Sequence, residues 1–218
     1  MKFSNILLSL LFAATEAASL INKEFDEQVQ SQLRKKSNRN VPGSPEDWLN
    51  ALNTARKENQ EALGGTYSAL SWSNDLMGEA QTWANGLAIK CENKAPSAGQ
   101  NPGDYGVATI LNVRNPQMAV DRWVTNGKYC QKADRAGTIP SAESQPYTQM
   151  LWSGTKFVGC ADATSERSGK SCTSSVCFYA LAGNCAWKKY DTWEDAVLSG
   201  KACSSVCPSD ATCGTETW

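Results

Sequence analysis

The sequence predicts an α+β fold built from helical layers and a small sheet. Three helical stripes of apolar residues come first along the chain, and the two best strand patterns follow them. Because strands and helices do not alternate, the order favours a layered α+β domain over a parallel α/β sheet. With 218 residues and 41% hydrophobic content, the chain can bury one substantial core, so we expect one main domain.

The three helices are predicted from their start signals and their apolar period. The first opens at Ser44-Pro45-Glu46-Asp47, where serine can cap free amides, proline suits the first turn and carboxylates oppose the positive helix end. It ends at Gly64-Gly65. The second follows Ser73, and the third begins at Asn115-Pro116. Their apolar stripes are assigned to the core and not to a cofactor site: Trp48, Ala51, Leu52, Ala55, Ala62 and Leu63; Leu76, Met77, Ala80, Trp83, Ala84, Leu87 and Ala88; Ala119, Val120 and Trp123.

The two predicted strands run from Lys156 to Ala161 and from Val176 to Leu181, where β-branched and aromatic residues surround a cysteine. After Asn184 the composition changes, and Cys203, Cys207 and Cys213 lie in a short Ser/Thr-rich tail. This tail has little apolar content, so we expect it to depend on disulfide bridges for its order.

The N-terminus has the pattern of a secretory signal. Lys2 is followed by a short apolar run from Ile6 to Ala14, and small residues around Ala17 and Ala18 suit cleavage. The run is too short to span a bilayer, so a signal is favoured over a transmembrane anchor. We expect a signal peptide (1–18), a disordered leader or propeptide (19–43), a main domain (44–186) and a Cys-rich extension (187–218) of a secreted, extracellular protein.

Nine cysteines in an exported chain predict a disulfide framework. Because nine is odd, at least one thiol is free, capped or paired with another molecule. Metal binding by Cys203, Cys207 and Cys213 is the alternative, but their spacing fits no zinc motif. The formal net charge of −1 predicts no binding of nucleic acid.

Two segments carry a family resemblance. Pro146-Tyr-Thr-Gln-Met-Leu-Trp152 with Phe157-Val-Gly-Cys160 is similar to the first signature of the CAP superfamily of cysteine-rich secretory, antigen 5 and pathogenesis-related proteins. Cys177-Phe-Tyr-Ala-Leu-Ala-Gly-Asn184 resembles the second, with Leu181 in place of the family's proline. Leu70-Ser-Trp72 and Ala80-Gln-Thr-Trp83-Ala84 match a further family segment. The resemblance extends from about Asp47 to Asn184.

The resemblance implies a CAP-type α-β-α sandwich, in which a small antiparallel sheet lies between helical layers. It also implies the disulfide pairs Cys160–Cys177 and Cys91–Cys172. It leaves five cysteines unassigned, namely Cys130, Cys185, Cys203, Cys207 and Cys213.

The chain departs from the family at the central cleft. Many family members carry two histidines and two glutamates there, and some bind a divalent metal. The matching positions are Ala95, Gln100, Asn126 and Pro146, so all four titratable groups are lost, and we expect no metal or other cofactor. Either the cleft keeps only a structural role, which we favour, or it has become a neutral, polar ligand site.

Enzymatic activity is not expected. The chain has no histidine, which excludes Ser-His-Asp and Cys-His triads and histidine acid–base catalysis. A lysine-activated serine or paired carboxylates remain formally available. Glu143 and Asp162 flank the first signature, and we interpret them as ordinary surface carboxylates.

The resemblance implies a sterol or fatty acid as ligand, because relatives bind sterols near the segment that matches Gln149 to Phe157. In this chain the candidate lipid contacts are Gln149, Met150, Leu151, Trp152 and Phe157, although Trp152 suits the core equally well. The second hypothesis is an effector, defence or toxin-like protein that contacts a host or cell-surface protein through its Cys-rich tail. A wall or matrix component is a third alternative, supported only by secretion and bridges.

Overall fold

The computed structural model describes residues 42–97, 100–101, 103–131, 141, 143–167 and 169–213. The predicted signal peptide (1–18) and nearly all of the predicted leader (19–43) lie outside these residues. The helices are α1 (Pro45–Ala62), α2 (Asn74–Lys90), α3 (Pro116–Gln131), α4 (Gln145–Leu151) and α5 (Trp193–Ser199), with a 3-10 turn at Trp187–Lys189. The strands are β1 (Ser71–Trp72), β2 (Gly106–Leu111), β3 (Phe157–Arg167) and β4 (Lys170–Ala180).

The three predicted helices are confirmed, and so are their start signals. The Ser44 hydroxyl accepts the Asp47 amide at 3.1 Å, and the Asp47 carboxylate accepts the Ser44 amide at 3.1 Å, which forms a capping box. Ser73 caps α2 by accepting the Leu76 amide. The chain leaves α1 through Gly64, whose φ of +82° suits glycine.

The four strands form one sheet in the order β1-β3-β4-β2. Strands β3, β4 and β2 are antiparallel, as the resemblance implies, but β1 pairs with β3 in parallel over two residues. The two predicted strands are present and longer than expected. Strands β1 and β2 were missed, because β1 is too short to show alternation and β2 begins among glycine and small residues.

Helices cover both faces of the sheet, which confirms the α-β-α sandwich. On β4, Cys177 and Tyr179 point into the core formed with α1, α3, α4 and α5. The alternate residues Val176, Phe178 and Ala180 pack against α2. The α2 backbone approaches β3 so closely that a Cβ on Gly159 would lie 2.2 Å from the Met77 nitrogen. The glycine of the first signature is therefore required for this layer to pack.

Four disulfides join eight of the nine cysteines. Cys91–Cys172 ties the end of α2 to β4, and Cys160–Cys177 crosses between β3 and β4; these are the two pairs that the resemblance implies. The two further bridges, Cys185–Cys203 and Cys207–Cys213, lie in the C-terminal part. The ninth cysteine, Cys130, lies in α3, and its side chain is outside the described part of the chain.

The C-terminal part is held by more than its bridges, contrary to the expectation from its composition. Trp187, Ala196 and Val197 are buried in the main core. Beyond α5, the Trp152 indole donates to the Lys201 carbonyl at 2.8 Å, and the Cys203 amide donates to the Ala182 carbonyl at 2.7 Å. We call residues 200–213 the C-terminal clasp, since they close over the first signature.

The far end of the clasp is fixed to α2. The Asp210 carboxylate accepts hydrogen bonds from the Ser73 hydroxyl at 2.7 Å and from the amides of Asn74 and Asp75. In return, the Ser209 amide donates to the Asp75 carboxylate at 2.8 Å. These contacts lower the pKa of Asp210, with the Ser73 hydrogen bond as the main cause.

Candidate functional site

Three of the four positions matched to the family's cleft come together in the structure. Ala95, Asn126 and Pro146 line one cleft of about 530 Å³. We call it the central cleft. Its other lining residues are Asn93, Val107, Thr109, Ile110, Leu111, Arg122, Trp123, Glu143 and Gln145.

Three elements bring these positions together. Ala95 lies in the loop after α2, Asn126 lies one helical turn after Trp123 on α3, and Pro146 lies in the first turn of α4. Helices α3 and α4 are in direct contact, since a Cβ on Gly127 would lie 2.1 Å from that of Tyr147. Burial, with a smaller contribution from Glu194, raises the pKa of Tyr147 to about 12, so this phenol stays neutral.

Gln100 does not line the central cleft with the other three positions. Its side-chain oxygen accepts the Ser97 hydroxyl at 2.8 Å and the Ser97 amide at 3.2 Å. The neighbouring Asn101 closes the turn into β2 through two hydrogen bonds with the Tyr105 backbone. The Gln100 side chain is therefore used in the hydrogen bonding of its own loop.

The chemistry of the central cleft is therefore polar and close to neutral. Its described lining contains one cation, Arg122, and one carboxylate, Glu143. Among the described residues, no group of three or more His, Cys, Asp or Glu side chains could hold a metal ion. The donor set of the cleft does not fit a zinc ion, which prefers imidazole, thiolate and carboxylate ligands.

Glu143 and Asp162 are in different surroundings. Glu143 is exposed at the central cleft, whereas Asp162 projects from β3 and accepts the Gly43 amide at 2.8 Å and the Trp48 indole at 3.2 Å. The Ser175 hydroxyl also donates to Asp162. Asp162 therefore joins the start of α1 to the sheet, which is a structural role.

The predicted lipid contacts are mostly core residues, which corrects their expected role as a contact surface. Met150, Leu151 and Trp152 have no exposed area, and Gln149 is 1% exposed. The Gln149 amide donates to the Thr155 hydroxyl at 2.9 Å and accepts the Gly183 amide at 3.0 Å. Phe157 is half-buried against the α2 layer. In this conformation Gln149, Met150, Leu151 and Trp152 support the fold and offer almost no surface to a ligand.

The residue that holds this segment is not marked by any motif in the sequence. Arg56 is fully buried and donates to four backbone carbonyls, those of Ser68, Met150, Trp152 and Thr155. Beside it, Gln60 donates to the Leu151 carbonyl and accepts the Ser68 amide. The available signal was position, because Arg56 lies one turn after Leu52 on the apolar stripe of α1. A buried arginine needs several acceptors, and a loop turned inward supplies them.

Residues of the loop that Arg56 holds also line a second pocket, of about 600 Å³. We call it the loop pocket. Its walls are three chain segments: Thr66, Tyr67 and Ser68; Ser153, Gly154 and Lys156; and Leu198, Ser199, Gly200, Lys201 and Ala202. The Lys156 ammonium connects two of these walls by donating to the Ser68 hydroxyl and the Ser153 carbonyl, both at 3.2 Å.

The sandwich fold agrees with the comparison to known families. The profile described as "Cysteine-rich secretory protein family" (CAP) matches residues 49–180, more than half of the chain. The chain belongs to the CAP family. Among the described residues of this CAP protein, no helix is long and apolar enough to cross a membrane.

Similar proteins come from insects, plants and mammals. Venom allergen 5 of Vespa mandarinia is 29% identical over 61% of this chain and 66% of its own length, just under two thirds. Venom allergen 5.02 of Vespa crabro is 28% identical over 75% of this chain and 74% of its own. Cysteine-rich secretory protein 1 of Macaca mulatta is 23% identical over 91% of this chain and 79% of its own length. The solved structure of BmVAL-1 is 20% identical in sequence, covers 65% of this chain and 79% of its own, and has a TM-score of 0.49.

Proposed function

We propose that this CAP protein is a secreted, non-catalytic binding protein whose ligand is a sterol or a fatty acid held in the loop pocket. The observation that carries the proposal is the position of Ser153, Gly154 and Lys156. They belong to the segment that the resemblance connects with lipid binding, and they line a pocket although the residues around them are core.

The size of the loop pocket suits such a ligand. Small-molecule sites usually occupy about 300–1,000 Å³, and this pocket is about 600 Å³. Tyr67, Leu198 and Ala202 supply apolar contact, and hydroxyls supply hydrogen bonds. Burying roughly 200–300 Å² of lipid at about 25 cal/mol/Å² gives about 5–7 kcal/mol before ordering costs, which is consistent with micromolar affinity.

The roles of the candidate site residues support a binding function over a catalytic one. The resemblance implies that the family's imidazole and carboxylate groups are replaced at the central cleft, and Asp162 is used in structural hydrogen bonds. The absence of histidine from the sequence removes the commonest general base.

The test is saturable binding of cholesterol and of dodecanoate to the purified, correctly oxidised protein. Ser199→Trp places a large ring at the wall of the loop pocket and should weaken binding at least tenfold. The matched control, Thr125→Trp, places the same ring on the exposed face of α3 beside the central cleft and should leave the affinity unchanged. Absence of saturable binding at micromolar ligand, or equal binding by both variants, would contradict the proposal.

A second candidate function is recognition of a host or cell-surface protein through the C-terminal clasp. It is favoured by the fixed attachment of the clasp at both ends and by the exposure of Val206. Because deleting the clasp would also remove hydrogen bonds to the core, a surface change is the better test. Val206→Asp should then abolish capture of a cell-surface partner, whereas Ile89→Asp on the exposed side of α2 should not.

A further inference from the structure

The loop pocket has an unusual charge distribution. Two of its described lining residues, Lys156 and Lys201, carry positive charge, and none of the described lining residues carries a carboxylate. The whole chain has a formal net charge of −1, so this local excess of cations does not follow from the overall composition.

A third cation, Arg56, is hydrogen-bonded to a residue that lines the same pocket. Arg56 is fully buried, and its four described acceptors are uncharged carbonyls, one of which belongs to the lining residue Ser68. Burial lowers the pKa of Arg56 to about 10, so the guanidinium remains protonated at neutral pH. Carbonyl dipoles solvate this charge but do not cancel it, and a charge in a low-dielectric interior is weakly screened.

None of the described contacts of the two lysines is with a carboxylate. The acceptors of the Lys156 ammonium are a hydroxyl and a carbonyl, which leave its charge in place. At Lys201 the backbone carbonyl accepts a hydrogen bond from the Trp152 indole, which fixes the backbone of this lining residue. The acidic residues of α5, Glu194 and Asp195, lie in the first turn of that helix, whereas the pocket is formed by its last turn and the residues after it.

We propose that the loop pocket selects anionic amphiphiles, ligands that join a carboxylate, sulfate or phosphate group to an apolar chain or ring, over neutral ones. The anionic group would lie between Lys156 and Lys201, and the apolar part would lie against Tyr67, Leu198 and Ala202. This inference rests on the pocket assigned in the proposed function and names the chemical class of its ligand. A fatty acid or a sulfated sterol meets these requirements, and a free sterol meets only the apolar one.

The test compares ligands that differ only in the head group. Dodecanoate and dodecanol share one chain, and cholesterol sulfate and cholesterol share one ring system. In the wild-type protein each anionic ligand should bind at least tenfold more tightly than its neutral partner, and the difference should shrink as salt rises from 0.02 to about 0.5 M. Equal affinity within either pair would overturn the inference while leaving lipid binding intact.

Variants of the two lysines test whether their charges cause the preference for anionic ligands. Lys156→Met/Lys201→Met keeps the stems of both side chains and removes both charges, so the preference for dodecanoate over dodecanol should fall to about one. Lys201→Glu should reverse it. Lys128→Met changes an exposed lysine on α3 and should leave the preference unchanged. A tenfold preference that survives in the double variant would overturn the inference.

Inorganic phosphate and acetate separate the anion site from lipid binding. If these ions bind at millimolar concentration and require Lys156 and Lys201, while no lipid binds, the anion site stands and the lipid function fails. If neither ion nor lipid binds, both proposals fail. If the ions do not bind but dodecanoate does so with the expected preference, the apolar chain supplies the affinity and the lysines supply the selectivity.

Discussion

The central cleft and the loop pocket are similar in volume, about 530 and 600 Å³, but they differ in charge. The described lining of the central cleft pairs one cation, Arg122, with one carboxylate, Glu143. The described lining of the loop pocket contains two cations, Lys156 and Lys201, and no carboxylate. Two clefts of nearly equal size therefore differ in their chemistry, and the one with the excess of cations is our proposed ligand site.

The largest expected effect follows from removing the arginine that holds the loop pocket. Arg56→Met should remove the hydrogen bonds that Arg56 donates to the carbonyls of Ser68, Met150, Trp152 and Thr155, which should cost about 3–5 kcal/mol of unfolding free energy. Arg56→Lys should retain only part of this stability, because an ammonium cannot reproduce the planar, forked hydrogen bonding of a guanidinium. Denaturant unfolding measures both, and Arg122→Met in the central cleft should change stability by less than about 0.5 kcal/mol. Equal stability of the two methionine variants would refute the role of Arg56.

The next effect concerns the bridge that anchors the clasp beside the loop pocket. Removing Cys185–Cys203 should lower stability by about 3 kcal/mol, and removing Cys207–Cys213, which closes a shorter loop, by about 2 kcal/mol. Paired alanine substitutions and thermal unfolding measure the difference. Only the first pair should also weaken dodecanoate binding, because only that bridge lies next to Ala202. A larger loss from the second pair would count against the chain-entropy explanation.

These contacts also show what could be predicted from the sequence. The capping box at Ser44 and the apolar period of α1 are local patterns, so the helices were predictable. The sandwich and two of the bridges were predicted from the resemblance of the two signatures to those of the family. Ala95, Asn126 and Pro146 were found by matching spacing to the family. Arg56 was missed because its acceptors are backbone carbonyls 12 to 99 residues away, which no local pattern shows. The loop pocket was missed for the same reason, since residues 66–68, 153–156 and 198–202 meet only in three dimensions.

The central cleft offers a gain-of-function test. Ala95→His/Asn126→Glu/Pro146→His restores three ligand groups at positions that line one cleft, and should raise zinc affinity at least tenfold over the wild-type protein. Zinc titration by calorimetry measures this. Dodecanoate affinity should stay unchanged, because the loop pocket is untouched. Tight zinc binding by the wild-type protein would show that the cleft positions are wrongly matched.

The smallest effect concerns pH and the far end of the clasp. The pKa of Asp210 is lowered in the folded protein, so its contribution is present above the ordinary carboxylate pKa and is lost as pH falls through the lower, folded value. Below about pH 4 the C-terminal clasp should loosen at α2 before the core unfolds. This loosening should be seen as faster hydrogen exchange at the Asn74 and Asp75 amides. Asp210→Asn should exchange faster already at neutral pH and lose this dependence. Uniform protection down to the unfolding pH would contradict it.

The account depends most directly on which of the two concave sites receives the ligand. Titrating dodecanoate into ¹⁵N-labelled protein and following the backbone amide shifts would answer this. We expect saturable shifts at Ser68, Gly154, Lys156 and Ala202, with none at Asn93 or Asn126. Shifts confined to the central cleft, with the loop-pocket amides unmoved, would contradict the account.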